Sequence, residues 1–268
     1  MTTDKGARAA DSAEGWDHSS RSEFLEYYQK QSLSAETRQR FESLRDRLLR
    51  LHREASPESR PLAIADVGGG AGSLAAIWAE AGHRVYSIDI SLPLIQLAQE
   101  RALAAGLDAN FAVASATDLP WASQSMDICL APELLEHVAD WQACLDEFAR
   151  VLRPGGLLFL STTNLLCPKQ QEFNLRVYSW YPGFLKRRYE KLAVTTRPEL
   201  ANHATYPAVN WFSFYSLRTA LRSRGFADFR DRFDLAAMSQ HSREKQMILQ
   251  GVRRVPGLRL LAQFCTSG

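Results

Sequence analysis

The stretch Asp66-Val67-Gly68-Gly69-Gly70-Ala71-Gly72 constrains this chain more than any other. It follows an apolar run, residues 62–65, that reads as a buried parallel strand. It leads into residues 73–81, which read as a helix. A strand, a tight glycine turn and a helix make a corner suited to a nucleotide. The glycines permit backbone angles closed to other residues and let the main chain approach a ligand closely. A strand-to-helix turn can need glycine for packing alone, so the motif does not stand by itself. The next run, residues 84–90, also reads as a strand and carries an acid, Asp89, near its end. The gap of roughly 20 residues suits a carboxylate gripping ribose hydroxyls. The competing role for Asp89 is to cap the helix that follows.

Strand and helix patterns continue in alternation. Residues 111–114, 126–131 and 157–162 read as strands, and residues 141–152 as a helix. This predicts an α/β fold with a doubly wound, mostly parallel sheet. Residues 1–20 are polar and predicted to be a disordered tail, and residues 21–60 to hold N-terminal helices. Within the latter, residues 34–51 read as a helix with Ser34 as N-cap and Phe41, Leu44, Leu48 and Leu51 on one stripe. Residues 61–163 form the expected core. From 164 to 210 the pattern changes to a helical and aromatic insertion after strand five. There Tyr178, Trp180, Tyr181, Phe184 and Tyr189 interleave with Lys186, Arg187, Arg188 and Lys191. It reads either as a solvated lid helix or as a segment that docks on an anionic membrane surface. Residues 211–268 complete the fold: a helix over 214–224 closed by Gly225, a strand near 226–233, and a basic helix-like stretch over 243–264.

Bulk properties exclude more than they assign. A formal charge of +2 gives no electrostatic case for a nucleic-acid partner. The four cysteines are scattered without a Cys-x-x-Cys pair, which fits reduced thiols in a cytoplasmic protein. The first residues carry no apolar signal-peptide core, and no run is long enough to span a bilayer.

The glycine motif resembles the first motif of class I S-adenosylmethionine-dependent methyltransferases, acid-x-Gly-x-Gly-x-Gly, filled here by Asp66, Gly68, Gly70 and Gly72. A nicotinamide fold would use Gly-x-Gly-x-x-Gly and place its third glycine at Ser73. The similarity continues through Asp118-Leu119-Pro120-Trp121, Ser125-Met126-Asp127 and Leu152-Arg153-Pro154-Gly155-Gly156, about a hundred residues in order. The resemblance implies a Rossmann-like methyltransferase fold that binds S-adenosyl-L-methionine. It implies that the glycine turn holds the methionine and ribose moieties, with Asp66 structural or bridging to the ammonium. Asp89 would take the ribose hydroxyls, Ile90 the adenine face, and Pro132 would present backbone to the donor. Many members place a carboxylate near the adenine amino group. Aligning Leu119-Pro120 puts Ser115 at that position with the Ala116 backbone beside it; Asp118, which fits better as a turn residue, is the nearest carboxylate and the alternative. The family sheet normally ends in a hairpin of strands six and seven, and no convincing seventh strand is legible.

Glu133-Leu134-Leu135-Glu136-His137 follows the fourth strand, where open parallel sheets place ligands. Two carboxylates and an imidazole can bind a divalent cation such as Mg2+, or shuttle a proton through His137 and Glu136. The segment resembles the Glu-x-x-Glu-His cluster of ubiquinone-biosynthesis O-methyltransferases, where it is associated with a divalent metal. The third reading is structural, a helix cap or loop anchor. His203, Tyr206, Asn210 and Trp211 form a candidate acceptor-side cluster, with a packed aromatic loop as the alternative. The resemblance implies methyl transfer to a small-molecule acceptor, with oxygen as the favoured atom and an amphipathic or prenylated phenol as the favoured class. A glycan or secondary-metabolite acceptor competes, as does a donor-binding protein without turnover. The oligomeric state is not legible.

Overall fold

The computed structural model describes residues 34–56, 60–170, 172–201, 208–238 and 243–265. The expected tail over 1–20, residues 21–33 of the expected N-terminal helices, and His203 and Tyr206 lie outside the described residues. The chain divides into two units. The first runs to Pro132 and includes Gln142–Leu160; the second comprises Glu133–Trp141 and the chain from Ser161 on.

The first unit is built on a five-stranded sheet in the order β3-β2-β1-β4-β5. Its strands are β1 Ala63–Val67, β2 Arg84–Asp89, β3 Ala109–Val113, β4 Met126–Pro132 and β5 Leu152–Ser161. β1 pairs in parallel with β2 and β4, and β2 with β3. Helices α1 Ala35–Ala55, α2 Ser73–Glu80, α3 Leu92–Ala104 and α4 Trp141–Val151 flank it. This is the α/β fold expected from the alternating pattern. β1 is buried at every position, Asp66 included, as a central strand covered on both faces requires. Leu44 and Leu48 of α1 join Ile64, Leu74, Trp78, Val85, Ile128 and Leu130 in one core, with Phe41 and Leu51 packed at its edge. Ser34 caps α1, its hydroxyl accepting from the Thr37 amide at 3.2 Å.

The amino-terminal end of the sheet is pinned by one buried carboxylate. Asp127 accepts two bonds from Arg60 (2.9 and 2.7 Å), one from the Ala63 amide (2.7 Å) and one from Arg153 (2.5 Å). Burial works against its ionisation, but these donors outweigh it and hold the carboxyl well below the usual range.

The second unit holds α5 Gly183–Thr195, α6 Phe214–Arg222, α7 Arg232–Ala237, α8 Arg243–Arg254 and α9 Pro256–Phe264. Its small core is aromatic: Phe173 stacks on Tyr178 at 4.1 Å, and Trp211 meets Tyr178 edge-on at 5.6 Å. Gly225, at φ +93°, closes the α6 end. The strand expected near 226–233 is not formed. Asp231 and Asp234 instead make a capping box that starts α7. The basic stretch is two helices, broken where Pro256 begins α9. Among the described residues the sheet has no sixth or seventh strand. No described helix is long and apolar enough to cross a membrane.

Asp127→Ala should destabilise the protein by about 2–4 kcal/mol, because it strands a buried amide and two guanidinium groups. Urea unfolding at pH 7 measures this. A loss under about 0.5 kcal/mol, the range of ordinary surface changes, would show that Asp127 does not pin the sheet.

Candidate functional site

The glycine corner is assembled from the turn after β1, the end of β2 and the start of α3. Gly68 and Gly69 both donate their amides to the Ile88 carbonyl, at 2.8 and 3.0 Å. Gly68, Gly70 and Gly72 take φ of +73°, +54° and +76°. Register sets Asp66 beside Ser87, and the Ser87 hydroxyl donates to Asp66 Oδ2 at 3.0 Å. Gly69 lies directly over this pair. A Cβ there would overlap Ser87 Oγ and stand 2.5 Å from Asp66 Oδ2. Gly72 has a packing reason as well: its Cβ would lie 2.9 Å from that of Ala98 on α3.

Asp66 is fully buried, and its Oδ1 has no hydrogen-bond partner among the described residues. Burial pushes its pKa up to about 7; the Ser87 bond opposes this and the Asp89 charge adds to it. Asp89 accepts from the Gly70 amide at 3.0 Å and from the Ser91 amide at 2.9 Å. It therefore braces the glycine turn against the start of α3. Ile90, next to it, is 41% exposed. Ser115 is exposed, shares a hydrogen bond with the Thr117 hydroxyl at 2.8 Å and accepts from the Thr117 amide. Ala116 is buried behind it, and Pro132 closes β4 half-buried.

In the second unit, Leu135–His137 form a short 3-10 turn. Glu133 enters it with a left-handed φ of +53°, unusual for a residue with a side chain. Asn210 clamps the turn: its side-chain amide donates to the carbonyls of Leu135 (2.9 Å) and Val138 (2.7 Å). Its backbone amide donates to Glu136 at 3.1 Å. Glu136 is buried and accepts from the Thr162 hydroxyl at 2.8 Å. Burial raises its pKa to about 8; the nearby charges of Glu133 and Glu172 push the same way. His137 is held neutral: burial lowers its pKa to about 4, and its Nδ1 has no hydrogen-bond partner among the described residues.

The turn corrects the metal reading. Glu133 is exposed while Glu136 points inward, and no group of three His, Cys, Asp or Glu among the described residues is placed to hold a metal ion. Glu133, Glu136 and His137 are neighbours in sequence whose side chains do not converge. Lys186 is a second correction. It is buried rather than part of a basic outer face, with Nζ 4.6 Å from the Trp211 ring centre and donating to the Ser179 carbonyl at 2.8 Å. Burial lowers its pKa to about 8, and Glu190 works against that. Trp211 is therefore committed to the aromatic core.

Residues 65–160 match the methyltransferase domain family. They form a class I S-adenosylmethionine-dependent methyltransferase domain, as the glycine corner and strand order also indicate. Among curated relatives, the chain is 36% identical over 103 residues to the ubiquinone biosynthesis O-methyltransferase of Rhizobium etli. That alignment covers 38% of this chain and 42% of the relative. The protein of the same name from Xanthomonas euvesicatoria pv. vesicatoria is 40% identical over 103 residues, covering 38% and 43%. The chain thus spans about two fifths of the curated relatives it matches. Among solved structures, the YcgJ protein of Bacillus subtilis aligns at a TM-score of 0.49 with 18% identity, covering 80% of this chain and 87% of that one.

Sequence reasoning gave no separate role to Gly69 or Thr162, and it set Asn210 in an acceptor-side cluster rather than under the 135–138 turn. Gly69 is the most crowded of the turn glycines, Thr162 holds Glu136, and Asn210 holds the 135–138 turn. Gly69 stands within the motif, but its neighbour Ser87 is supplied by the next strand. Thr162 has no local signal at all.

Glu136 makes a pH-dependent contribution to stability of definite sign. Its folded pKa, about 8, lies above the ordinary carboxyl value. The folded state therefore holds a proton that the unfolded state has released, and stability falls as pH rises toward 8. From pH 6.5 to 8 the loss should be about 2 kcal/mol. Glu136→Gln should remove that slope while keeping an acceptor for Thr162. Unfolding midpoints of both proteins at pH 6.5 and 8 measure it; parallel curves would refute the buried, protonated carboxyl.

Proposed function

We propose that this chain transfers a methyl group from S-adenosylmethionine to an oxygen of a small-molecule acceptor. One observation carries the reading: a glycine corner at the carboxyl end of the central strand, shaped by Asp66, Ser87 and Asp89. These residues fit the donor. The backbone at Gly69 is kept bare by the groups beneath it, and Asp66 Oδ1 is a buried acceptor without a partner. A cationic group nearby would hold Asp66 ionised. A carboxylate offers about four acceptor positions, so bracing the turn and gripping ribose hydroxyls are compatible roles for Asp89. Ile90 would cover an adenine face, Ser115 and the Ala116 backbone its edge, and the backbone at Gly68, Gly70 and Pro132 the rest. Once bound, the donor supplies a methyl made electrophilic by its sulfonium.

We assign the acceptor's proton to His137, whose neutral imidazole can accept it. Glu136 keeps its own proton below about pH 8 and serves to set the turn. A base of pKa about 4 lies far from the optimum near neutral pH, so the expected gain sits at the low end of general-base catalysis, about 10²-fold. The choice of oxygen rests on the names of the relatives, which are O-methyltransferases of ubiquinone biosynthesis. An amphipathic or prenylated acceptor is supported by Trp180 and Phe184, which are 53% and 65% exposed. Beside them Arg187 and Arg188 are also exposed, and a peripheral membrane contact would use the four together.

Asp89→Ala should weaken S-adenosylmethionine binding by about 1–3 kcal/mol, measured by calorimetry. Unchanged affinity in a folded variant would remove Asp89 from the donor site. His137→Ala should lower kcat about 10²-fold with donor affinity intact; near-normal turnover would defeat the assignment of the proton.

A further inference from the structure

A cavity of about 400 Å3 in the second unit is lined by Asp234, Gln250, Arg253, Arg254 and Arg259. Its geometry begins with the start of α7. Asp231 Oδ1 accepts the amides of Phe233 and Asp234 at 2.9 and 3.1 Å, and Asp234 Oδ2 accepts that of Asp231 at 3.1 Å. The carboxylates then hold two arginines from the following helices. Arg253 Nε donates to Asp234 Oδ1 at 2.9 Å, and Arg259 Nε to Asp231 Oδ2 at 2.6 Å. Arg259 Nη2 also reaches Asp234 Oδ2. A guanidinium has five N–H donors, so these bonds fix both groups without using all their donors. Arg254 adds a third guanidinium, exposed and within ion-pair distance of no acid among the described residues.

Three guanidinium groups face two carboxylates here, leaving a net positive cavity with the Gln250 amide on its wall. Planar forks fixed by second partners are the arrangement that binds phosphate oxygens best. A carboxylate ligand presents two oxygens in one plane. A phosphate presents at least three in a tetrahedron, matched to donors arriving from two helices. We propose that this cavity binds the phosphate group of an anionic ligand. Nothing in it rests on the methyl-transfer reading.

That phosphate has two sources with the same chemistry, a soluble phosphate ester or a phospholipid headgroup. Met247 lies three residues before Gln250 and seven before Arg254, on one stripe of α8. It is 72% exposed, and Ile248 beside it 67%. The cavity therefore borders an apolar surface, and the test needs an arm for each source.

The full chain would be titrated by calorimetry with glycerol 3-phosphate at low ionic strength. It would also be sedimented with vesicles of phosphatidylcholine alone and with added phosphatidylglycerol. Binding is expected in at least one arm, weakening as salt is added. Arg254→Glu should reduce it about tenfold or more, since it reverses a charge that holds no acid partner among the described residues. Arg197→Glu, an exposed reversal elsewhere in the unit, should leave it unchanged. S-adenosylmethionine affinity and the unfolding midpoint, equal in all three proteins, verify folding. Response to glycerol 3-phosphate alone assigns a soluble ester; response to phosphatidylglycerol vesicles alone assigns a lipid headgroup. Absence of binding in both arms, or an equal loss in Arg197→Glu, overturns the proposal.

Discussion

The close approach of Gly69 to the Asp66–Ser87 pair is the constraint on which the glycine corner depends. It fixes the register of β1 against β2, because only that register sets the Ser87 hydroxyl 3.0 Å from the Asp66 carboxylate. It excludes any side chain at Gly69. It also leaves one carboxylate oxygen buried without a partner, which costs stability unless something arrives to satisfy it. Asp89 then ties the turn to the start of α3 through two backbone amides. The corner is therefore held by the chain's own hydrogen bonds, an arrangement that spares ordering entropy on binding.

Local chemistry made most of the first unit legible. The strand alternation, the Ser34 cap and the glycine spacing each act within a few residues, so the sequence displays them directly. What escaped depends on partners distant in sequence. Asp127 looks like a motif residue, yet its role comes from Arg60 and Ala63, more than sixty residues earlier. Lys186 stands in a run of basic residues, and only the arrangement of Tyr178 and Trp211 shows that it turns inward. The expected strand near 226–233 failed for a local reason that was open to reading. Asp-x-x-Asp at 231–234 is a helix start, and its capping bonds outweigh the strand preference of the neighbouring phenylalanines. The Glu133–His137 donors suggested a cluster because they are close in sequence. A left-handed residue and a 3-10 turn send their side chains apart.

Ionisable groups drawn out of water are held here in two opposite ways. Asp127 is surrounded by donors and stays charged; Glu136 and His137 have no partner of opposite charge among the described residues and stay neutral near pH 7. That neutrality limits what His137 can do. A base with pKa about 4 cannot draw a proton from a resting hydroxyl to any useful extent. As an oxygen forms its bond to a methyl group, however, it becomes an oxonium, whose proton even a weak base will take. Proton removal by His137 would therefore follow or accompany carbon–oxygen bond formation, not precede it. The acceptor must then be nucleophilic enough to attack while still protonated, or arrive already ionised. A phenol, far more acidic than a simple alcohol, meets the second condition more readily.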